Sequence, residues 1–234
     1  MAMVKNENRS CIAVFIRAPE SGKVKTRLSG HLGPEVVLGL YKCFVRDILR
    51  AAEKTEYEIK IFYYPPGSKT AVTNWLGKTF KLYPQRGKDL GMRMANAFSD
   101  IFSFGYEEAI LIGTDCPDIR EDILTEAFQS FQDTGCVLGP SLDGGYYLIG
   151  FTAGEFSANL FDNISWGTDS VYNKTLEICR QEKIRPHILP ELNDIDTYDD
   201  LKQFMKESDK KLRSDLLSFN YLSKKGVFED QSKS

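Results

Sequence analysis

Apolar residues follow two rhythms along this chain. CIAVFIRA (11–18) is nearly all apolar and β-branched, the pattern of a strand buried on both faces of a parallel sheet. From Gly33 the rhythm changes. Val37, Leu40, Phe44 and Ile48 recur every three or four positions and predict an amphipathic helix to about Lys54. YEIKIFYY (57–64) predicts a second strand, closed by Pro65-Pro66-Gly67. A short helix around 71–76 and a strand at 79–85 follow. Residues 90–104 are helical in pattern, with Met94, Ala97, Phe98 and Ile101 on one face. EAILIGT (108–114) is the clearest strand, and Asp118-x-x-Glu121 reads as a capping box opening a helix to about Gln132. GCVLGP (135–140) and GYYLIGF (145–151) are strands joined by the tight turn Ser141-Leu142-Asp143-Gly144. A helix at 169–182 with Thr168 as its cap, a strand at 184–189 and a helix at 198–217 complete the pattern.

Strands alternating with helices predict an α/β fold on a mainly parallel sheet. The strands at 135–140 and 145–151 leave no room for a helical crossover, so at least one must run antiparallel. No repeat or linker interrupts the pattern. The expectation is a single domain over 1–234, with its core at about 11–217 and a polar, frayed tail at 220–234.

Composition narrows the chemistry. The chain has 234 residues and a formal charge of −3, which argues against general nucleic-acid binding. Its five cysteines include no C-x-x-C pair and its histidines number two, so reduced thiols are expected and a Cys/His zinc site is not. Any metal should be a hard cation on carboxylates. The first apolar run is too short to span a bilayer, and a cytoplasmic location is expected.

Against that acidic background one basic loop stands out. RAPESGKVKTRL (17–28) follows the first strand and carries Arg17, Lys23, Lys25 and Arg27. It lacks the P-loop spacing and the dinucleotide glycine pattern. It remains a strand–loop–helix junction, with Gly22 for backbone freedom, able to cradle a di- or triphosphate. Asp115 ends the strongest strand, and Pro117 holds Cys116 extended, so the carboxylate should project from the sheet rim. There it suits a cation that bridges to phosphates. Asp118 reads as a helix cap. Asp143 before Gly144 and Gly145 fits either a hairpin turn or a substrate contact, since two glycines let a ligand approach the backbone. Asp194 and Asp196 fit either a helix cap or a second metal contact. Trp166 fits packing or stacking on a base or sugar. Cys116 has no neighbouring histidine and is not read as a nucleophile.

Taken in order, FIRAPESGKVKTRL, QRGKDLGMRM, LIGTDCPDI, LGPSLDGGYYLIG, ISWGTDSVYNKTL and DIDTYDDL resemble a bacterial family of glycosyltransferase-like proteins in the nucleotide-diphospho-sugar transferase superfamily. KTRLSGHLGPEV is also similar to the phospholactate guanylyltransferases of that superfamily, which contains the molybdenum-cofactor guanylyltransferases too. The resemblance covers about residues 11–205. It implies a GT-A fold, a three-layer α/β/α sandwich on a mixed, mostly parallel sheet. It implies that Arg17, Ala18, Pro19, Gly22, Lys25 and Arg27 face nucleotide phosphates, with Gln85, Gly87 and Asp89 near the nucleotide. Asp143, Gly144, Gly145 and Tyr146 would line the acceptor side, with Trp166 beside them. Asp115 would hold Mg²⁺ or Mn²⁺, and Asp143, Asp194 or Asp196 would supply a second ligand. The expected reaction moves a glycosyl group from a nucleotide-sugar to a small acceptor. Lys25 and Asp115 would stabilise the leaving diphosphate and Asp143 would act as base. The alternatives are nucleotidyl transfer from a nucleoside triphosphate, releasing pyrophosphate, and a non-catalytic nucleotide-binding module.

Overall fold

A computed structural model describes residues 9–206 and 213–227. Seven strands form one sheet: β1 (Ser10–Arg17), β2 (Glu58–Tyr64), β3 (Lys81–Pro84), β4 (Glu108–Ile112), β5 (Cys136–Pro140), β6 (Tyr146–Thr152) and β7 (His187–Ile188). Their spatial order is β3-β2-β1-β4-β6-β5-β7. β1, β2, β3 and β4 run parallel, and β6 lies antiparallel between β4 and β5. The hairpin strand without room for a crossover is thus the reversed one.

Eight helices are described: α1 (Thr26–Leu32), α2 (Pro34–Glu53), α3 (Lys69–Leu76), α4 (Leu90–Ser103), α5 (Glu121–Gln129), α6 (Val171–Gln181), α7 (Tyr198–Lys206) and α8 (Leu217–Lys224). Alternation along β1 explains the layering. Ile12, Val14 and Ile16 face one core with α2, α3 and α5; Cys11, Ala13 and Phe15 face another with α4 and α6. This is the expected three-layer sandwich.

A third, smaller core lies beside the first. Leu28 of α1, Val37, Leu40 and Phe44 of α2, Leu201 and Phe204 of α7 and Leu222 of α8 close on Ile195. Asp47, buried on α2, accepts from the backbone N–H groups of Leu217 (2.7 Å) and Ser218 (2.9 Å), so one helix caps another.

Several local expectations are corrected. The Asp118–Glu121 capping box does not form: α5 starts after Arg120, and the Asp118 carboxylate pairs with Arg213. Thr168 does not cap α6; its hydroxyl meets Ser165 O and the Ser170 hydroxyl. The strand at 184–189 shrinks to His187–Ile188, where it meets β5. The helix expected over 198–217 is not continuous, because Leu216 is extended (ψ 133°) and α8 begins after it; 207–212 lie outside the described residues. The first residues of the tail expected at 220–234 are not frayed: α8 runs to Lys224 with Leu222 fully buried; 228–234 lie outside the described residues.

Candidate active site

In open α/β sheets ligands bind beyond the carboxyl ends of the strands. Here those ends open into a cavity of about 560 Å³, a size that suits a small molecule. Its wall includes Arg17 at the end of β1, Tyr64 at the end of β2, Thr114 and Asp115 after β4, and Tyr146 at the start of β6. Lys23, Lys25 and Arg27 enter from the basic loop, Gln85 and Arg93 from the β3–α4 region, and Asp196 from the segment before α7. Five cations thus face two carboxylates, Asp115 and Asp196, in a protein whose net charge is −3.

Lys25 organises the corner nearest β4. Its ammonium pairs with Asp115 and lies 2.6 Å from Asp196 Oδ1. Its side chain is only 5% exposed, against 53% for Asp115 and 38% for Asp196. Burial alone would lower its pKa, but the two carboxylates outweigh that and hold the ammonium above the ordinary lysine value. The backbone of Lys25 is left-handed (φ 44°, ψ 47°), a strained conformation for a residue with a Cβ. This turn aims the side chain inward just before α1.

Asp196 arrives by a docked segment. Ile195 is buried, and its N–H donates to Asp115 O at 2.9 Å, laying 194–196 against the strand-end loop. The capping of α7 is done by Thr197 and Asp200, each accepting from the other's backbone N–H. Asp196 is therefore free of a capping role. Asp194, half-buried beside Asp143 and Asp196, is pushed up to about 6 by burial first and by those two charges second.

The chemistry of this pair suits a hard cation. Two carboxylates already converge on one positive atom, and Mg²⁺ is usually held by one or two carboxylates with substrate phosphates and water. Among the described residues no cluster of three or more metal-binding side chains exists.

Other expected residues have different duties. Ala18 is buried with its N–H on Tyr64 O, and Gly22 takes φ +71° in the loop turn; neither they nor Pro19 line the cavity. Gln85 lines it, yet its amide donates to Ile16 O (3.3 Å) and Phe62 O (2.9 Å), holding β1 and β2. Asp89 caps α4 through Met92 N, and Gly87 packs on that helix; neither lines the cavity. Asp143 is not on the wall either. Its Oδ1 accepts from Ser141 Oγ (2.5 Å) and Gly145 N (2.8 Å), so it builds its own turn. Gly144 takes φ +86°, and a Cβ there would fall on Asp169 O, so backbone contact rather than a ligand accounts for it. Trp166 packs edge-on to Tyr146 and against Gly91 rather than facing the cavity. Tyr146 alone of the acceptor group reaches the wall.

Sequence reasoning missed several wall residues, Tyr41, Tyr64 and Arg93 among them. Tyr41, on α2, donates its hydroxyl to Arg17 O (2.9 Å) and accepts from Arg17 N (2.8 Å), fixing the end of β1. Tyr64 and Arg93 sit together, with the guanidinium carbon 3.9 Å from the ring centre. Arg93 lies inside QRGKDLGMRM, and its place in the first turns of a helix after the Asp89 cap was the available signal.

The fold is shared with solved structures and the sequence with a known family. A family model described as "Uncharacterized protein conserved in bacteria (DUF2064)" matches residues 48–168. A crystal structure from Desulfovibrio desulfuricans G20, described as a "putative nucleotide-diphospho-sugar transferase", is similar at 34% identity and TM-score 0.90, covering 94% of this chain and 96% of that one. A 4-diphosphocytidyl-2C-methyl-D-erythritol synthase from Anaerococcus prevotii DSM 20548 shares the fold at 10% identity and TM-score 0.55, over 92% and 97% of the two chains. Rv0371c of Mycobacterium tuberculosis H37Rv, solved in complex with manganese, shares it at 13% identity and TM-score 0.50, over 84% and 98%. No curated protein matches. Among the described residues no helix is long and apolar enough to cross a membrane.

Proposed function

This chain belongs to the DUF2064 family of bacterial proteins, and we propose that it is a divalent-metal-assisted transferase that grips an activated nucleotide by its phosphates and moves a glycosyl group from a nucleotide-diphospho-sugar to a small acceptor. The observation that carries this reading is the Lys25 corner: a buried ammonium held between Asp115 and Asp196 in a cavity with surplus positive charge. The relative at 34% identity, itself described as a "putative nucleotide-diphospho-sugar transferase", supports it.

Departure of a nucleoside diphosphate leaves negative charge on the oxygen that loses the sugar. Lys25 and Arg27, both on the cavity wall, would meet that charge. Asp115 and Asp196 would hold Mg²⁺ or Mn²⁺, which when bound supplies further neutralisation of the phosphates. With the carboxylates engaged by such a cation, Lys25 would be released from its two ion pairs to contact a phosphate.

One observation favours the second reading, nucleotidyl transfer. Among the described residues the carboxylates lining the cavity are Asp115 and Asp196, both on Lys25, and Asp143 is engaged in its turn. No carboxylate there is available to deprotonate an acceptor hydroxyl. An acceptor phosphate attacking the α-phosphorus of a nucleoside triphosphate requires none.

The two readings part on the product. Purified protein with Mn²⁺, UDP- or GDP-sugars and a mixture of small phosphorylated acceptors should release nucleoside diphosphate. Release of pyrophosphate from GTP or CTP instead would select nucleotidyl transfer. If no nucleotide or nucleotide-sugar raises the melting temperature in the presence of Mn²⁺, both readings fall.

A further inference from the structure

We propose that Arg17 and Arg93, gathered on the ring of Tyr64, form a second anion subsite in the cavity, and that it takes the phosphate or carboxylate of the acceptor. The assignment to the acceptor rests on the transferase reading; the subsite itself rests on geometry.

Arg93 lies 3.9 Å and Arg17 5.6 Å from the centre of the Tyr64 ring, measured from each guanidinium carbon. Stacking leaves the N–H edge of a guanidinium open for two-pronged contact with an oxyanion. Among the described residues neither arginine has a carboxylate within ion-pair distance, and both line the cavity. This is unlike Lys25, whose charge is already matched.

The surroundings hold both arginines in place. Tyr41 clamps the backbone of Arg17 through both its N–H and its carbonyl. Arg93 Nε donates to Gly87 O at 3.2 Å. Gly87 takes φ +144°, and a Cβ there would lie 2.7 Å from Met92 Cβ and 2.8 Å from Arg93 N. Glycine is what lets this loop lie against α4 and deliver its carbonyl to the guanidinium. Asp89, capping α4, sets the helical phase at which Arg93 faces the cavity.

The subsite is separate from the Lys25 corner. Arg17 and Tyr64 are paired neighbours at the ends of β1 and β2, whereas Asp115 follows β4 on the other side of β1. Tyr64 and Asp115 follow strands two places apart, about 10 Å between strand axes, with Arg17 on the strand between them. An anion centred on the Tyr64 ring is therefore set apart from one held at Asp115, which suits a donor phosphate at one end and an acidic acceptor at the other. An acceptor that arrives already ionised, with an oxyanion as nucleophile, also needs no general base, in keeping with the lack of an available carboxylate on the wall.

The test is calorimetric titration of the full chain with two probes: inorganic phosphate without metal, and pyrophosphate with Mn²⁺. Arg93→Gln and Arg17→Gln should weaken inorganic phosphate about tenfold or more, the loss of one charge-assisted contact, and leave Mn²⁺–pyrophosphate within about threefold. Asp115→Asn should do the reverse. Wild-type protein preloaded with UDP and Mn²⁺ should still bind phosphate. If UDP and Mn²⁺ abolish phosphate binding, the subsite belongs to the nucleotide and the acceptor assignment is overturned. If Arg93→Gln leaves phosphate affinity unchanged, or weakens both probes equally, the second subsite is overturned. Arg93→Lys keeps the charge but not the planar fork. It should lose phosphate affinity with an unshifted melting temperature, and unchanged affinity in that variant overturns the guanidinium geometry even if Arg93→Gln does not fold. If only the Asp115→Asn arm fails, the transferase reading falls and the subsite stands.

Discussion

Replacing Lys25 with methionine keeps the volume of the stem and removes one positive charge from between two carboxylates. Breaking a fully buried ion pair costs about 3–5 kcal/mol, and an exposed pair contributes about 0.2–1 kcal/mol. Asp115 is 53% and Asp196 38% exposed, so water screens much of each loss even though Lys25 itself is 5% exposed. About 1 kcal/mol for each carboxylate gives a destabilisation of about 2 kcal/mol near neutral pH. Methionine retains a Cβ, so the left-handed strain at φ 44° is the same in both proteins and cancels. The pKa of Lys25 is raised on folding, so its contribution is fully present below the unfolded lysine value of about 10.5 and is lost as pH rises through the higher folded value. The difference between the proteins should therefore be flat from pH 7 to 10 and shrink above that. Urea denaturation with an unchanged slope reads it directly. A second observable separates this account from simple packing loss. With the ammonium gone, Mn²⁺ should raise the denaturation midpoint of Lys25→Met more than that of wild type, because it no longer competes with an internal cation. Equal stability of the two proteins, or an equal response to Mn²⁺, would refute the reasoning.

Other expectations follow from sites away from that corner or beside it. Glu58→Gln should destabilise by about 2 kcal/mol at pH 7, because the ammonium of Lys60, 1% exposed, loses the negative charge 2.7 Å away and keeps only neutral partners. Burial opposes it, but the bonds from Lys60, Tyr106 and Lys81 hold Glu58 at about 2, so its contribution is lost as pH falls from about 4.5 toward that value; acid titration of wild type against variant checks this. Asp194→Asn, in chelator-treated buffer, should stabilise by about 1 kcal/mol at pH 8 after screening, since the folded carboxyl is pushed up to about 6; the advantage should vanish as pH falls through 6 toward 4. Asp47→Ala should cost about 1–2 kcal/mol by leaving the first N–H groups of α8 unpaired, and hydrogen exchange should rise first in Leu217–Lys224. Gly144→Ala should cost about 2 kcal/mol or more by thermal melting, since the new methyl meets the Asp169 backbone, which has little room to retreat.

The elements with strong periodicity were legible. The all-apolar runs of β1 and β4 could only be strands covered on both faces, and the helix from Pro34 showed its buried stripe at three- and four-residue spacing. Short or shared elements were not. α1 has seven residues with Gly30 inside, too little for a period to emerge. The Asp118–Glu121 pattern has the right spacing, but Arg213, 95 residues away, takes the carboxylate. At the site, the basic loop and the strand-end aspartate were readable because charge and strand order both point to the rim. The direct ion pair of Lys25 with Asp115, two residues expected to act together on a diphosphate, was not, because a left-handed residue leaves no mark in a sequence without glycine at that position. Arg93 was hidden in the same way: its role depends on a ring at the end of β2, three elements earlier.

The place of α8 has a bearing on how the protein is made. All seven strands have been synthesised by Ile188, so the scaffold can collapse while the ribosome is still adding residues. The segment carrying Asp196 is seated only when Ile195, Leu201, Phe204 and finally Leu222 join Leu28 and Phe44. A nascent chain can therefore acquire its sheet before the Asp196 segment is seated, and a product released short of α8 would lack the last apolar support of that segment.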